Sequence, residues 1–177
     1  MKYPFYTIGH STRSIDEFAG MLRGVGVTMV ADVRKMPRSR TNPQYNNDAL
    51  AHSLAPFQIE YEHIAALGGL RGRERNVPLG VNAYWRIKSF HNYADYAMGN
   101  DFRTGFARLR ELGRNRCCAI MCAEALWWRC HRRIITDYLL MAGEEVVHLI
   151  GPKKAEPARL TSAACPGAGV ITYPAAS

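Results

Sequence analysis

Short apolar runs alternate along this chain with segments of helical period, and this alternation restricts the fold more than any other feature. Phe5-Tyr6-Thr7-Ile8 reads as a strand running into Gly9-His10-Ser11-Thr12. Ser14, with Glu17 three residues on, forms a capping box. Ile15, Phe18, Ala19 and Leu22 follow at helical spacing until Gly24 or Gly26 closes the helix. That Gly-Val-Gly precedes a strand, which excludes a dinucleotide fingerprint. Val27–Val33 is a second strand, residues 46–54 a short helix, and Ile59–Ile64 a third strand ended by Gly68-Gly69. Residues 93–112 carry one or two helices broken near Gly99-Asn100. Cys117–Met121 is a short apolar run read as a buried strand, followed by a helix over about 130–141 with Gly143 as its stop. Val146–Ile150 reads as the last strand. Alternation of this kind implies an α/β fold: a single-domain, three-layer helix/sheet/helix sandwich with a mostly parallel sheet. The expected domain spans 1–150, with 151–177 an Ala-, Pro- and Gly-rich tail packed on it. Residues 70–92 have no period and read as a flap or surface excursion.

A chain of 177 residues is one domain by default and buries roughly 70% of its unfolded surface. No run of about 18 apolar residues is present, so no membrane span is expected. The first residues move directly into a strand without a signal-peptide plan, and five cysteines lack framework spacing. Both features lead to the expectation of a cytoplasmic protein without structural disulfides. The net charge is +8, and Lys2, Lys35, Lys88, Lys153 and Lys154 are the only lysines among 23 basic residues. An arginine-dominated positive charge suits phosphate-bearing partners, DNA or RNA among them, although solvated faces produce the same composition.

If the strands are parallel, their C-terminal ends share one edge. That edge gathers His10 and Ser11, Asp32 with Arg34, and Cys122 with Glu124. The densest chemistry lies in Arg116–Arg133, RCCAIMCAEALWWRCHRR, where Cys118, Ile120, Cys122 and Glu124 share one strand face. Cys130-His131-Arg132 follows at a helix start, where a thiol pKa falls, although a buried cysteine is as often plain core. A cysteine phosphatase loop is excluded, because six residues beyond Cys122 stands Trp128, with Arg129 one position too late. Cys122, Cys130, His131 and His10 match no paired zinc-ligand spacing, so neither metal nor cofactor is expected. Asp32 and Glu124 are candidate general base and acid, or else ion-pair partners of Arg34 and Arg132. The loop Arg34–Arg40, the Arg71–Arg75 run and the aromatics Tyr84, Trp85, Trp127 and Trp128 together have the make-up of a strand-binding surface.

The blocks Gly9-His10-Ser11, Asp32-Val33-Arg34 with Pro37 and Ser39-Arg40, Leu67-Gly68-Gly69, Met121-Cys122-Ala123-Glu124 and Cys130-His131-Arg132 resemble, in order and spacing, the DUF488 family. Leu160-Thr161 and Thr172-Tyr173-Pro174 look like the endings of one branch of it, which tends to have proline where this chain has Trp127. The resemblance implies a compact α/β domain in a bacterial cytoplasmic setting, with some relatives suspected of acting on nucleic acid. The expected function is therefore nucleic-acid binding and processing, directed at damaged bases as in DNA repair. In that reading Asp32, Glu124, His10 and Cys130 are catalytic, and Ser11, Arg34, Arg38, Ser39, Arg40, Cys122, His131 and Arg132 bind. The alternatives are an enzyme using Cys122 or Cys130 on a thiol or phosphorylated small-molecule chemistry, and a non-catalytic nucleic-acid-binding module.

Overall fold

Strands buried on both faces read as unbroken apolar runs, and this chain supplies them. The computed structural model describes residues 2–176. All five residues of strand β4 (Cys118–Cys122) and all four of β2 (Met29–Asp32) are buried. With β1 (Phe5–Gly9), β3 (Glu60–His63), β5 (Val146–Gly151) and β6 (Lys154–Pro157) they form one sheet of order β3-β2-β4-β1-β5-β6. Every pairing is parallel except β5 with β6.

The pleat divides β4 between two cores. Cys117, Ala119 and Met121 pack with helices α1 (Ile15–Arg23) and α2 (Asn47–Leu54) on one face. Cys118, Ile120 and Cys122 pack with α3 (Lys88–Tyr96), α4 (Asn100–Asn115) and α5 (Arg132–Met141) on the other. Ser14 caps α1 as its sequence predicts, its Oγ accepting from the Glu17 amide at 3.1 Å. Gly24 ends the helix, and Gly26 takes the left-handed conformation two residues later.

The sheet order positions the site. After β1 the chain crosses to α1 on one face; after the neighbouring β4 it crosses to α5 on the opposite face. Adjacent parallel strands whose connections leave to opposite faces open a crevice at their C-terminal ends. Here the crevice lies between Gly9-His10 and Cys122, which the register sets side by side, Gly9 opposite Cys122.

Three details depart from the sequence reading. The helix expected from about Cys130 begins at Arg132, because Cys130 is extended and a 3₁₀ turn, Trp127–Arg129, precedes it. Val146–Gly151 is not the last strand: β6 follows, although Lys154-Ala155-Glu156-Pro157 has no apolar alternation. An outer strand needs only one hydrogen-bonded side and tolerates charge and proline, so β6 carries little sequence signal. A small hairpin, β7 (Cys165–Gly167) and β8 (Val170–Thr172), then packs over α5. Buried Tyr173 ties three segments together there: its hydroxyl donates to Asp137, its amide to Asn82, and its carbonyl accepts from Tyr84.

Candidate functional site

Arg132 lies at the bottom of the crevice with no solvent exposure. Its Nε donates to Cys122 Sγ at 3.0 Å, one Nη to Thr7 Oγ1 at 3.1 Å, and the other to the Glu124 carbonyl. Among the described residues no carboxylate pairs with it, although a guanidinium cannot shed its charge by deprotonating. A buried cation without an anion is costly, and the groups in contact that can become anionic are thiols.

Two thiols meet there. Cys122 Sγ and Cys130 Sγ are 2.7 Å apart, both nearly buried, and neither is in a disulfide. Burial acts to raise the Cys130 pKa, but the hydrogen bond with Cys122 and the charge of Arg132 outweigh it, and the net shift is downward. Cys122 is pushed up, by burial first and then by its neighbour. Such a pair titrates as a unit, with one negative charge shared between two sulfurs beside Arg132. The Arg132 amide also points at Cys130 Sγ, at 3.4 Å, so the first turn of α5 adds its positive end.

His131 supplies a proton acceptor. Its Nε2 lies 2.7 Å from the Val33 carbonyl, which can only accept, so Nε2 carries the hydrogen. Nδ1 is then the lone-pair nitrogen, and it faces Cys130 Sγ at 3.4 Å. Burial lowers the His131 pKa and keeps the ring neutral. Tyr93 packs edge-on against the ring, and Gly69 lies against it on another side. A Cβ at Gly69 would come within 3.0 Å of His131 Nδ1, which gives the second glycine of Leu67-Gly68-Gly69 a steric reason.

The opposite wall is a rigid buttress. Asp32 is fully buried and accepts from Arg34 Nε and Nη2 and from the Tyr61 hydroxyl. Arg34 also donates to the Tyr45 carbonyl and faces His10 Nε2 at 3.4 Å. His10 Nδ1 lies 2.8 Å from the Ser11 carbonyl, and its ring stacks on Tyr45 at 4.2 Å, so His10 is a fixed neutral wall. Burial lowers its pKa. Gly9, just before it, is indispensable: a Cβ there would fall 1.9 Å from the Glu124 carbonyl oxygen.

These walls enclose a cavity of about 370 Å³ lined by His10, Arg34, Cys122, Glu124, Cys130 and His131. Its mouth is basic at Lys35, Arg38 and Arg129, with Ser39 beside them, and apolar at Met36 and Leu70, while buried Phe90 lines it further in. Six of the sequence-derived candidates thus meet in one space, with Arg38 and Ser39 at its rim. Asp32 and Arg132 lie behind the wall, holding Arg34 and the cysteines. Ser11 contributes its carbonyl to His10, and Arg40 is exposed outside the cavity. Glu124 is exposed at the mouth, its carboxylate accepting from the Leu126 amide. Of the aromatics proposed for stacking, Trp85 is core, Trp127 stacks on buried His148, and Trp128 is exposed. Arg71 is held by the Gly68 and Ala65 carbonyls and lies over Tyr96.

Sequence reasoning missed Thr7, Tyr61, Tyr93, Leu70 and Arg129. Thr7 was legible only as a strand residue, yet its hydroxyl links Arg132 to His148 Nδ1. Among the described residues no three His, Cys, Asp or Glu side chains gather as metal ligands would.

A family model described as Domain of unknown function DUF488 matches residues 14–139. No curated protein and no solved structure matches the chain. The matched span contains Arg34, Cys122, Glu124, Cys130, His131 and Arg132, every wall of the cavity but His10. With well over half of its length inside that match, the chain belongs to the DUF488 family.

Proposed function

We propose that this protein is a thiolate-dependent enzyme acting on a small molecule with an anionic group, through Cys122 and Cys130. One observation carries the reading: a fully buried Arg132 whose Nε is directed at a cysteine sulfur and which, among the described residues, has no carboxylate partner. A guanidinium placed so holds a thiolate in its reactive form. His131 Nδ1 takes the thiol proton, and Glu124 at the mouth is available to exchange a proton with the bound ligand. Lys35, Arg38 and Arg129 suit a phosphate or carboxylate on the ligand, while Met36, Leu70 and Phe90 suit its apolar body. Reaction with iodoacetamide at neutral pH, followed by peptide mass spectrometry, tests this. Cys130 or Cys122 should be alkylated about tenfold faster than exposed Cys165, with a midpoint below the free-thiol value of about 8.5. Alkylation ordered by exposure, Cys165 first and the pair inert, would refute it.

A second reading is supported by exposed Lys35, Arg38 and Arg40, and by exposed Trp128 next to Arg129 in the chain. Cations next to an open aromatic face suit a nucleic-acid strand, and the cavity has room for a single base turned into it, as processing of damaged bases requires. Affinity for DNA or RNA that falls steeply with salt would favour it, and substitutions of Asp32 and Glu124 that leave every measurable activity intact would mark a module without chemistry.

A further inference from the structure

A single nucleophile needs one sulfur, and this site holds two in contact. We propose that Cys122 and Cys130 are a two-electron redox couple that reduces a small hydroperoxide, with Cys130 attacking and Cys122 resolving. The inference rests on the thiolate reading and names its substrate class.

Three observations assign the roles. The sulfurs stand 2.7 Å apart with seven residues between the cysteines, so a small side-chain shift brings them to bonding distance. Cys130 Sγ faces the proton acceptor His131 Nδ1 and the first amide of α5, each at 3.4 Å. Cys122 keeps its proton while Cys130 attacks, and with Arg132 Nε directed at its Sγ it can ionise for the second step once Cys130 no longer carries the charge. The oxidant must be small, because both sulfurs lie at the bottom of a cavity of about 370 Å³, beyond the reach of a protein disulfide. A hydroperoxide meets that limit, and its organic part would rest on Met36 and Leu70 at the mouth and on Phe90 further in.

In the first step the Cys130 thiolate attacks the terminal peroxide oxygen and the O–O bond breaks. The alkoxide leaves and is protonated through His131 Nδ1, which relays the proton given up by the Cys130 thiol, giving an alcohol and Cys130 sulfenic acid. In the second step the Cys122 thiolate attacks the Cys130 sulfur and expels hydroxide. Hydroxide takes up the proton that came from Cys122 and leaves as water. Two thiols have lost two electrons and two protons, and the hydroperoxide has become alcohol and water. A low-molecular-weight thiol restores the pair by thiol–disulfide exchange, releasing its own disulfide.

The test uses the full chain with Cys165→Ser, which removes the exposed thiol outside the site, titrated with cumene hydroperoxide and with hydrogen peroxide. Expected are the loss of two thiols per hydroperoxide consumed, one equivalent of cumyl alcohol, and a Cys122–Cys130 bridge in the peptide map. Adding Cys122→Ser should stop the reaction at a Cys130 sulfenic acid that dimedone traps. Because the main readout needs no substitution in the buried pair, a folding defect of that variant does not decide the outcome. Rapid alkylation of the pair without peroxide-driven bridging would overturn the redox couple and leave the thiolate reading standing. An inert pair in both assays would overturn both. Bridging by a small disulfide but not by either hydroperoxide would overturn the substrate class.

Discussion

Replacing both sulfurs with Cys122→Ala and Cys130→Ala separates packing from charge at the buried guanidinium. The packing part is the loss of two buried sulfurs of about methylene size, about 2 kcal/mol together, and it does not depend on pH. The charge part is the loss of the thiolate beside Arg132, which keeps Thr7 and the Glu124 carbonyl as partners. Its pH window follows from the lowered Cys130 pKa. A thiol whose folded pKa is depressed contributes stability fully above the unfolded value of about 8.5, and loses it as pH falls through the folded value. The double variant should therefore lose about 2 kcal/mol near pH 5.5 and roughly 1–2 kcal/mol more near pH 8, where the lowered Cys130 is ionised and the raised Cys122 is not. Urea unfolding under reductant measures both, and Cys117 and Cys118 titrate alike in the two proteins and cancel. Adding Arg132→Met removes the stranded cation and should recover stability by a similar amount at both pH values, while the growth of the loss with pH persists because it comes from Cys130 titrating in the parent. Equal losses of the double variant at both pH values would show that the cysteines are not the counterion of Arg132, and the proposed chemistry would lose its basis.

Three further outcomes are expected. Gly9→Ala should destabilise severely, by 3 kcal/mol or more on the scale of an overpacked core, because its Cβ would overlap the Glu124 carbonyl; a fold as stable as the parent by urea unfolding would contradict the close approach of β1 to residue 124. Glu124→Gln should leave the alkylation rate of the pair unchanged while lowering turnover by about a hundredfold if the carboxylate transfers a proton. Arg38→Ala with Arg40→Ala should weaken nucleic-acid binding and flatten its salt dependence by about one unit of slope per lost phosphate contact; a double variant that binds DNA and RNA as well as the parent at low salt would remove the nucleic-acid reading.

What the sequence alone determined is local or periodic. The apolar runs of β1, β2 and β4, the Ser14 cap and the break at Gly99-Asn100 each arise from residues close together in the chain, and each is present in the fold. Parallel strands then oblige His10, Asp32 and Cys122 to share an edge, so most of the cavity wall was legible before any coordinates. The start of α5 was not, because the extended Cys130 and the turn before it are imposed by Cys122 and Arg132 rather than by helix propensity. The outer strand β6 and the latch at Tyr173 were hidden for a similar reason: their partners lie far away in sequence, and their own residues show no period. The decisive feature of the site was also left to tertiary structure. Fifteen acidic residues were open to Arg132, and nothing in the spacing of Cys130-His131-Arg132 tells which of them it meets. Only folding shows that it meets none among the described residues, because charge compensation depends on distance through space. The packing of β1, β4 and α5 brings two sulfurs, and no carboxylate, to the buried guanidinium.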